Sequence, residues 1–184
     1  GLGDVYKRQG GDGDLKSYFV KEKKIVISDV DTRAVVRHIR DKGAMNAIIS
    51  TKILDINKLT KILDNVPSME GLELSSFVST DKSYYLGNKN AEIKVAVLDL
   101  GVKRNILKCM TDRGCYLKVF PMNSTYEEMK EWNPDGFFLS NGPGDPAAMP
   151  QVIEQVKRIT IDGKPVFGIC LGHQALALSE GIST

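Results

Sequence analysis

The run Val166-Phe167-Gly168-Ile169-Cys170-Leu171-Gly172-His173-Gln174 holds a cysteine where the chain is predicted to turn sharply. Val166 to Ile169 reads as a short buried strand, and the spacing of Leu171, Ala175, Leu176 and Leu178 reads as a helix. Cys170 sits on the turn between them. Gly168-x-Cys170-x-Gly172 is the cysteine form of a nucleophile elbow, in which small flanking residues let a reactive atom stand clear of a sheet edge. The chemistry this suits is covalent acyl transfer by a thiolate, which the N-terminus of the following helix favours. An oxyanion developing during such a reaction needs two backbone donors. Leu171, directly after the nucleophile, provides one, and Gly142 or Gly144 on a second loop provides the other.

That second loop is Ser140-Asn141-Gly142-Pro143-Gly144-Asp145-Pro146, directly after the apolar Phe137-Phe138-Leu139. Two prolines and two glycines in seven residues fix the backbone while leaving its N–H groups accessible. A base is harder to find. His173 lies only three residues beyond Cys170 on the same predicted helix, which reads as a packing or positioning role, and His38 belongs to an earlier domain. The chain is therefore expected to be truncated ahead of its base, with little turnover by the 184 residues alone.

The elements that position these loops emerge from periodicity. Strands at Ile93–Leu98, Tyr116–Phe120, Gly136–Leu139 and Val166–Ile169 alternate with helices at 103–113, 125–132 and 151–161. Short apolar strands separated by helices predict a doubly wound α/β domain with a parallel sheet, whose ligands bind at the carboxyl ends of the strands. Upstream lie helices near Leu15–Lys21, Val35–Lys42 and Ile56–Leu63, with short strands at Ile25–Ile27 and Ala47–Ile49. Asp29 or Asp31 is the expected cap of the second helix. Residues 1–14, with five glycines and no periodicity, read as a disordered or non-native leader. The expected organisation is leader 1–14, a partial first domain 15–77, a polar linker 78–92 and an α/β domain 93–184.

Composition narrows the classes. Hydrophobic residues make up 42% and charged residues 26%, with a net charge of +2, as in an ordinary globular chain. Aromatics at 7% and scattered Lys and Arg provide no nucleic-acid platform. No apolar run approaches the roughly 20 residues that span a bilayer. The three cysteines form neither C-x-x-C nor a metal-ligand spacing, so no metal and a reducing, cytoplasmic setting are expected. Cys109 and Cys115 read as core thiols, and His38 as a solvated or boundary histidine.

The residues Gly168 to Gln174 resemble the signature of the class I glutamine amidotransferase family. Phe138 to Pro146, Lys103-Arg104-Asn105-Ile106-Leu107 and Asp29-Val30-Asp31-Thr32-Arg33 narrow the resemblance, over about Leu15 to Thr184, to the small subunits of glutamine-hydrolysing carbamoyl-phosphate synthase. The resemblance implies a flavodoxin-like sheet, incomplete at its C-terminal end, behind part of a smaller α/β domain. It implies Cys170 as nucleophile, a glutamine site lined by Gly142, Gly144, Leu171 and Gln174, and an oxyanion hole from Leu171 and Gly142. It further implies a large synthetase subunit as partner, which uses ATP, Mg and bicarbonate, while this chain binds no cofactor of its own. The product would be carbamoyl phosphate for arginine and pyrimidine synthesis. The family's histidine and glutamate would lie beyond Thr184. Three other readings stay open: another class I glutamine amidotransferase, an ester- or lactone-cleaving cysteine hydrolase, and a docking module that keeps the fold without the chemistry.

Overall fold

A computed structural model describes residues 14–184, so the expected leader, apart from Asp14, lies outside the described residues. The chain divides into two compact units, Gly1–Ile49 and Ser50–Thr184. In the first, α1 (Leu15–Lys21) is capped by Asp14, whose carboxylate accepts the Lys16 N–H at 2.9 Å. Helix α2 (Thr32–Lys42) is capped by Asp31, which accepts the Ala34 N–H at 3.0 Å, and it ends at Gly43 in the left-handed region after the cations Arg40 and Lys42. His38 is exposed on α2, as expected. Neither Ile25–Ile27 nor Ala47–Ile49 forms the predicted strand. A strand needs a partner ladder, and among the described residues of this unit none is present, so Ile25 stays 75% exposed.

The second unit opens with α3 (Ile56–Leu63), capped by Asp55, and a 3₁₀ turn at Ser75–Phe77. The expected boundary lay at 77/78, whereas the compact units part at Ile49 and Ser50. The stretch read as a linker also carries a strand, β1 (Tyr84–Leu86). It forms the sheet edge, antiparallel to β3, and its Tyr-Tyr-Leu lies within otherwise polar flanks, which is why the strand did not stand out.

The rest follows the predicted alternation: β2 (Ile93–Asp99), α4 (Arg104–Thr111), β3 (Cys115–Pro121), α5 (Tyr126–Glu131), β4 (Gly136–Leu139), α6 (Pro150–Ile161), β5 (Val166–Gly168) and α7 (Leu171–Ser179). Thr125 starts α5 with a reciprocal capping box to Glu128. The sheet order is β1-β3-β2-β4-β5, and every pairing except β1 with β3 is parallel. The chain moves from β2 outward to β3, then returns past β2 to β4. Winding therefore reverses at β2, so the carboxyl ends of β2 and β4 form the topological switch point, where ligands of such sheets bind.

Alternation along β2 divides the core between two faces. Ala96 and Leu98 join Phe137, Leu139, Met129, Val156, Ile159, Leu171 and Ala175 under α5, α6 and α7. Val97 joins Leu117, Val119, Phe138 and Leu107 under α4. Cys109 is exposed on α4, contrary to the expectation of a core thiol, because the inward stripe of that helix is taken by Ile106, Leu107 and Met110. Cys115, at the start of β3, is partly buried. Among the described residues no helix is long and apolar enough to cross a membrane.

Candidate active site

Cys170 follows β5 by two residues and precedes the first residue of α7, so it occupies the turn that the sequence predicts. Its backbone has φ 51° and ψ −110°, a conformation that a side chain at Cβ opposes by about 1–3 kcal/mol. The surroundings enforce it. A Cβ on Gly168 would sit 2.7 Å from the Gly172 carbonyl and the His173 nitrogen, and one on Gly172 would sit 2.2 Å from the Leu139 carbonyl oxygen. The two glycines thus let α7 rest directly on the ends of β5 and β4. The Gly172 N–H donates to the Ile169 and Ser140 carbonyls at 3.0 and 3.1 Å. The thiol is left exposed at the sheet edge.

The glycine-proline loop leaves β4 beside this elbow. Ser140 is fully buried; its N–H donates to the Leu98 carbonyl at 3.1 Å and its hydroxyl accepts the Leu100 N–H at 2.8 Å. The Asn141 amide donates to the Gly101 carbonyl at 3.0 Å and accepts the Lys103 N–H at 3.2 Å, tying the loop to the turn after β2. Gly142 then approaches so closely that an added Cβ would lie 2.0 Å from the Leu100 carbonyl oxygen and 2.8 Å from the Leu171 side chain. Gly142 and Leu171, the two residues expected to hold an oxyanion, are therefore in contact next to Cys170. Among the described residues neither of their N–H groups is taken up by an internal hydrogen bond. Gln174, one turn beyond Cys170, donates its backbone N–H to the Cys170 carbonyl at 2.9 Å, which puts both residues on one helix face.

Gly144 is placed by a segment that sequence reasoning assigned elsewhere. It has φ 99°, pairs with Glu73 in an isolated bridge, and leaves no space for a Cβ against the Leu72 carbonyl at 2.8 Å. Ser75 donates its hydroxyl to the Pro143 carbonyl at 3.1 Å, and the Asp145 carboxylate accepts the Gly71 N–H at 2.8 Å. That bond from Gly71 first, and one from the Ala147 N–H second, hold the Asp145 carboxyl below its ordinary range. Residues 71–75 thus form one wall of the loop.

Asp99 is a second residue that sequence reasoning passed over. Buried at the end of β2, its carboxylate accepts the N–H groups of Gly101, Val102 and Thr80 at 2.9, 2.8 and 2.9 Å. The signal was available, since an aspartate at a strand end two residues before glycine marks an Asx turn. Gly101, at φ 121°, in turn packs against Gly142 and Pro143. His173, in the first turn of α7, is exposed and makes no described hydrogen bond to Cys170, while His38 lies in the first unit.

This arrangement presents an exposed thiol, two adjacent backbone N–H groups and an ordered loop at a winding reversal, a geometry that suits thiol acyl transfer. The comparisons with known proteins agree. Residues 96–184 match the family model "Glutamine amidotransferase class-I", and residues 4–49 match "Carbamoyl-phosphate synthase small chain, CPSase domain". The second match begins within the stretch expected to be a leader. A carbamoyl phosphate synthase small chain from Synechocystis sp. is 41% identical over 185 residues, covering 92% of this chain and 48% of the relative. Those from Chlorobaculum tepidum and Clostridium perfringens are 41% and 39% identical, covering 98% and 93% of this chain and 50% and 47% of theirs. The chain spans about half the length of these curated relatives. With both family models falling in order on one chain and near 40% identity across almost all of it, the chain belongs to the carbamoyl phosphate synthase small chains, with a class I glutamine amidotransferase region over residues 96–184.

Proposed function

We propose that these residues carry the nucleophilic half of a glutaminase site that supplies ammonia for carbamoyl phosphate synthesis. The observation that carries this reading is the contact of Gly142 with Leu171 beside the strained, exposed Cys170. The Cys170 thiolate adds to the side-chain carboxamide carbon of glutamine, and the oxygen becomes an oxyanion facing the N–H groups of Leu171 and Gly142. Collapse of that adduct breaks the carbon–nitrogen bond. Ammonia leaves with a proton from a general acid, and a γ-glutamyl thioester remains on sulfur. Water then cleaves the thioester, giving glutamate and the free thiol. Gln174 and Gly144 line the glutamine site in this reading.

The ammonia passes to a large synthetase subunit, which binds ATP and Mg and consumes bicarbonate, in the cytoplasm; this chain itself needs no cofactor. A product of this kind serves arginine and pyrimidine synthesis. The test uses a chain of the relatives' full length that carries these residues. It is expected to release ammonia from glutamine and to lose that activity by at least a thousandfold in Cys170→Ser, as removal of a triad nucleophile does in related chemistry. Glutaminase activity that survives intact in Cys170→Ser overturns the reading. Trapping of an acyl-enzyme with small esters but never with glutamine would assign the elbow to an ester hydrolase instead.

A further inference from the structure

We propose that the Ser140 hydroxyl is the positioning group that holds the two oxyanion donors together, an inference that rests on the glutaminase reading above. Its role follows from how the β2–β4 ladder ends. The last paired residues are Leu98 and Leu139, after which the Ser140 N–H donates to the Leu98 carbonyl at 3.1 Å. In a regular parallel ladder the next rung would run from the Leu100 N–H to the Ser140 carbonyl. Here that carbonyl is used elsewhere, accepting the Gly172 N–H of α7 at 3.1 Å. The hydroxyl of Ser140 takes its place, accepting the Leu100 N–H at 2.8 Å while donating to the Asn141 carbonyl at 2.8 Å.

One residue therefore serves two loops at once. Its carbonyl holds the elbow helix, which begins with Leu171, and its hydroxyl holds Leu100, on whose carbonyl Gly142 rests within the radius of a missing Cβ. Ser140 and Leu100 are both completely buried, so water cannot substitute. Without the hydroxyl, two outcomes are open to the backbone. Leu100 loses its acceptor and shifts, carrying Gly142 with it, or the Ser140 carbonyl swings back to Leu100 and releases Gly172. Either outcome changes the spacing of the Gly142 and Leu171 donors, and a displacement of about 1 Å in such a site costs on the order of a hundredfold in rate. A side chain that never touches glutamine would thus act on the transition state and hardly on substrate binding.

The test is steady-state glutamine hydrolysis by the full-length chain, with kcat expressed per Cys170 titrated by a glutamine-analogue chloroketone. Ser140→Ala is expected to lower kcat at least tenfold while KM for glutamine stays within about threefold. Ser140→Cys, which keeps a single γ atom but is bulkier and a weak acceptor, is expected to lower kcat per titrated site at least threefold, with KM again little changed. A loss of thermal stability with kcat per titrated site retained in Ser140→Cys would show a purely structural role and overturn the proposal. So would a rise in KM without a fall in kcat. Absence of glutamine hydrolysis in the unsubstituted chain would overturn the glutaminase reading first and this inference with it.

Discussion

Gly172→Ala sets two physical effects against each other, and the structure decides between them. Gly172 is the second residue of α7, and alanine is the better helix former by about 1 kcal/mol, so propensity by itself forecasts a more stable protein. The added Cβ, however, would stand 2.2 Å from the Leu139 carbonyl oxygen and 2.6 Å from its carbon, both backbone atoms of β4. To reach ordinary contact at 3.4 Å the helix must retreat by about 1.2 Å. Overpacking of this kind costs about 1–3 kcal/mol. The retreat also stretches the 3.1 Å bond from Gly172 to the Ser140 carbonyl, a further 0.5–1.5 kcal/mol or so. Steric and hydrogen-bond losses outweigh propensity, leaving a net destabilisation of about 2 kcal/mol. In a unit of this size that lowers the melting midpoint by about 4–8 °C. Circular dichroism melts of the two proteins measure it. A midpoint equal to or above that of the parent would refute the claim that α7 rests on β4 at this glycine.

Three further outcomes follow from the same geometry. Cys170→Gly should be more stable than Cys170→Ala by about 1 kcal/mol in urea unfolding, because relief of an unfavourable positive φ exceeds the extra chain entropy of glycine; equal stabilities would show that the elbow is unstrained. Asp99→Ala should cost about 3 kcal/mol by losing a buried acceptor for three N–H groups, with Asp99→Asn losing less; indistinguishable urea midpoints would remove Asp99 from the turn that supports Gly142. The Asp162 carboxylate, only 7% exposed, is held below its ordinary value of 3.8 by the hydrogen bond from Lys130 at 2.7 Å first and that from Tyr126 second. A depressed folded-state value means that this stabilisation is complete above the ordinary value and fades as pH falls through the lower one. Asp162→Asn should therefore be less stable than the parent at neutral pH, with the gap closing on acidification below about pH 4; a gap that persists in strong acid would contradict the assignment.

Local order was legible where local forces set it. The capped helices, the apolar strands β2 to β5 and the elbow around Cys170 each depend on residues within a few positions of one another, and periodicity and glycine spacing encode such relations directly. The same reasoning went astray at Ile25–Ile27 and Ala47–Ile49, where β-prone residues found no ladder, and at Tyr84–Leu86, where three β-prone residues inside a polar stretch became an edge strand because β3 offered one. Gly168, Gly172 and Gly142 were singled out by motif, but their reason for being there is close approach to α7 itself at Gly172 and His173 for the first, to Leu139 for the second, and to Leu100 and Leu171 for the third.

By itself, then, the order of residues determined that a cysteine would stand on a strand-to-helix turn and that a bare-backboned loop would follow another parallel strand. Tertiary structure decided that these two turns meet, through Gly142 against Leu171, and that residues 71–75 close over the loop from 68 and 74 positions away along the chain at Ser75–Pro143 and Gly71–Asp145. The physical reason is that backbone propensity and hydrophobic period act over a turn or a strand, whereas the rung exchanged at Ser140 exists only once three separate strand ends have been brought side by side.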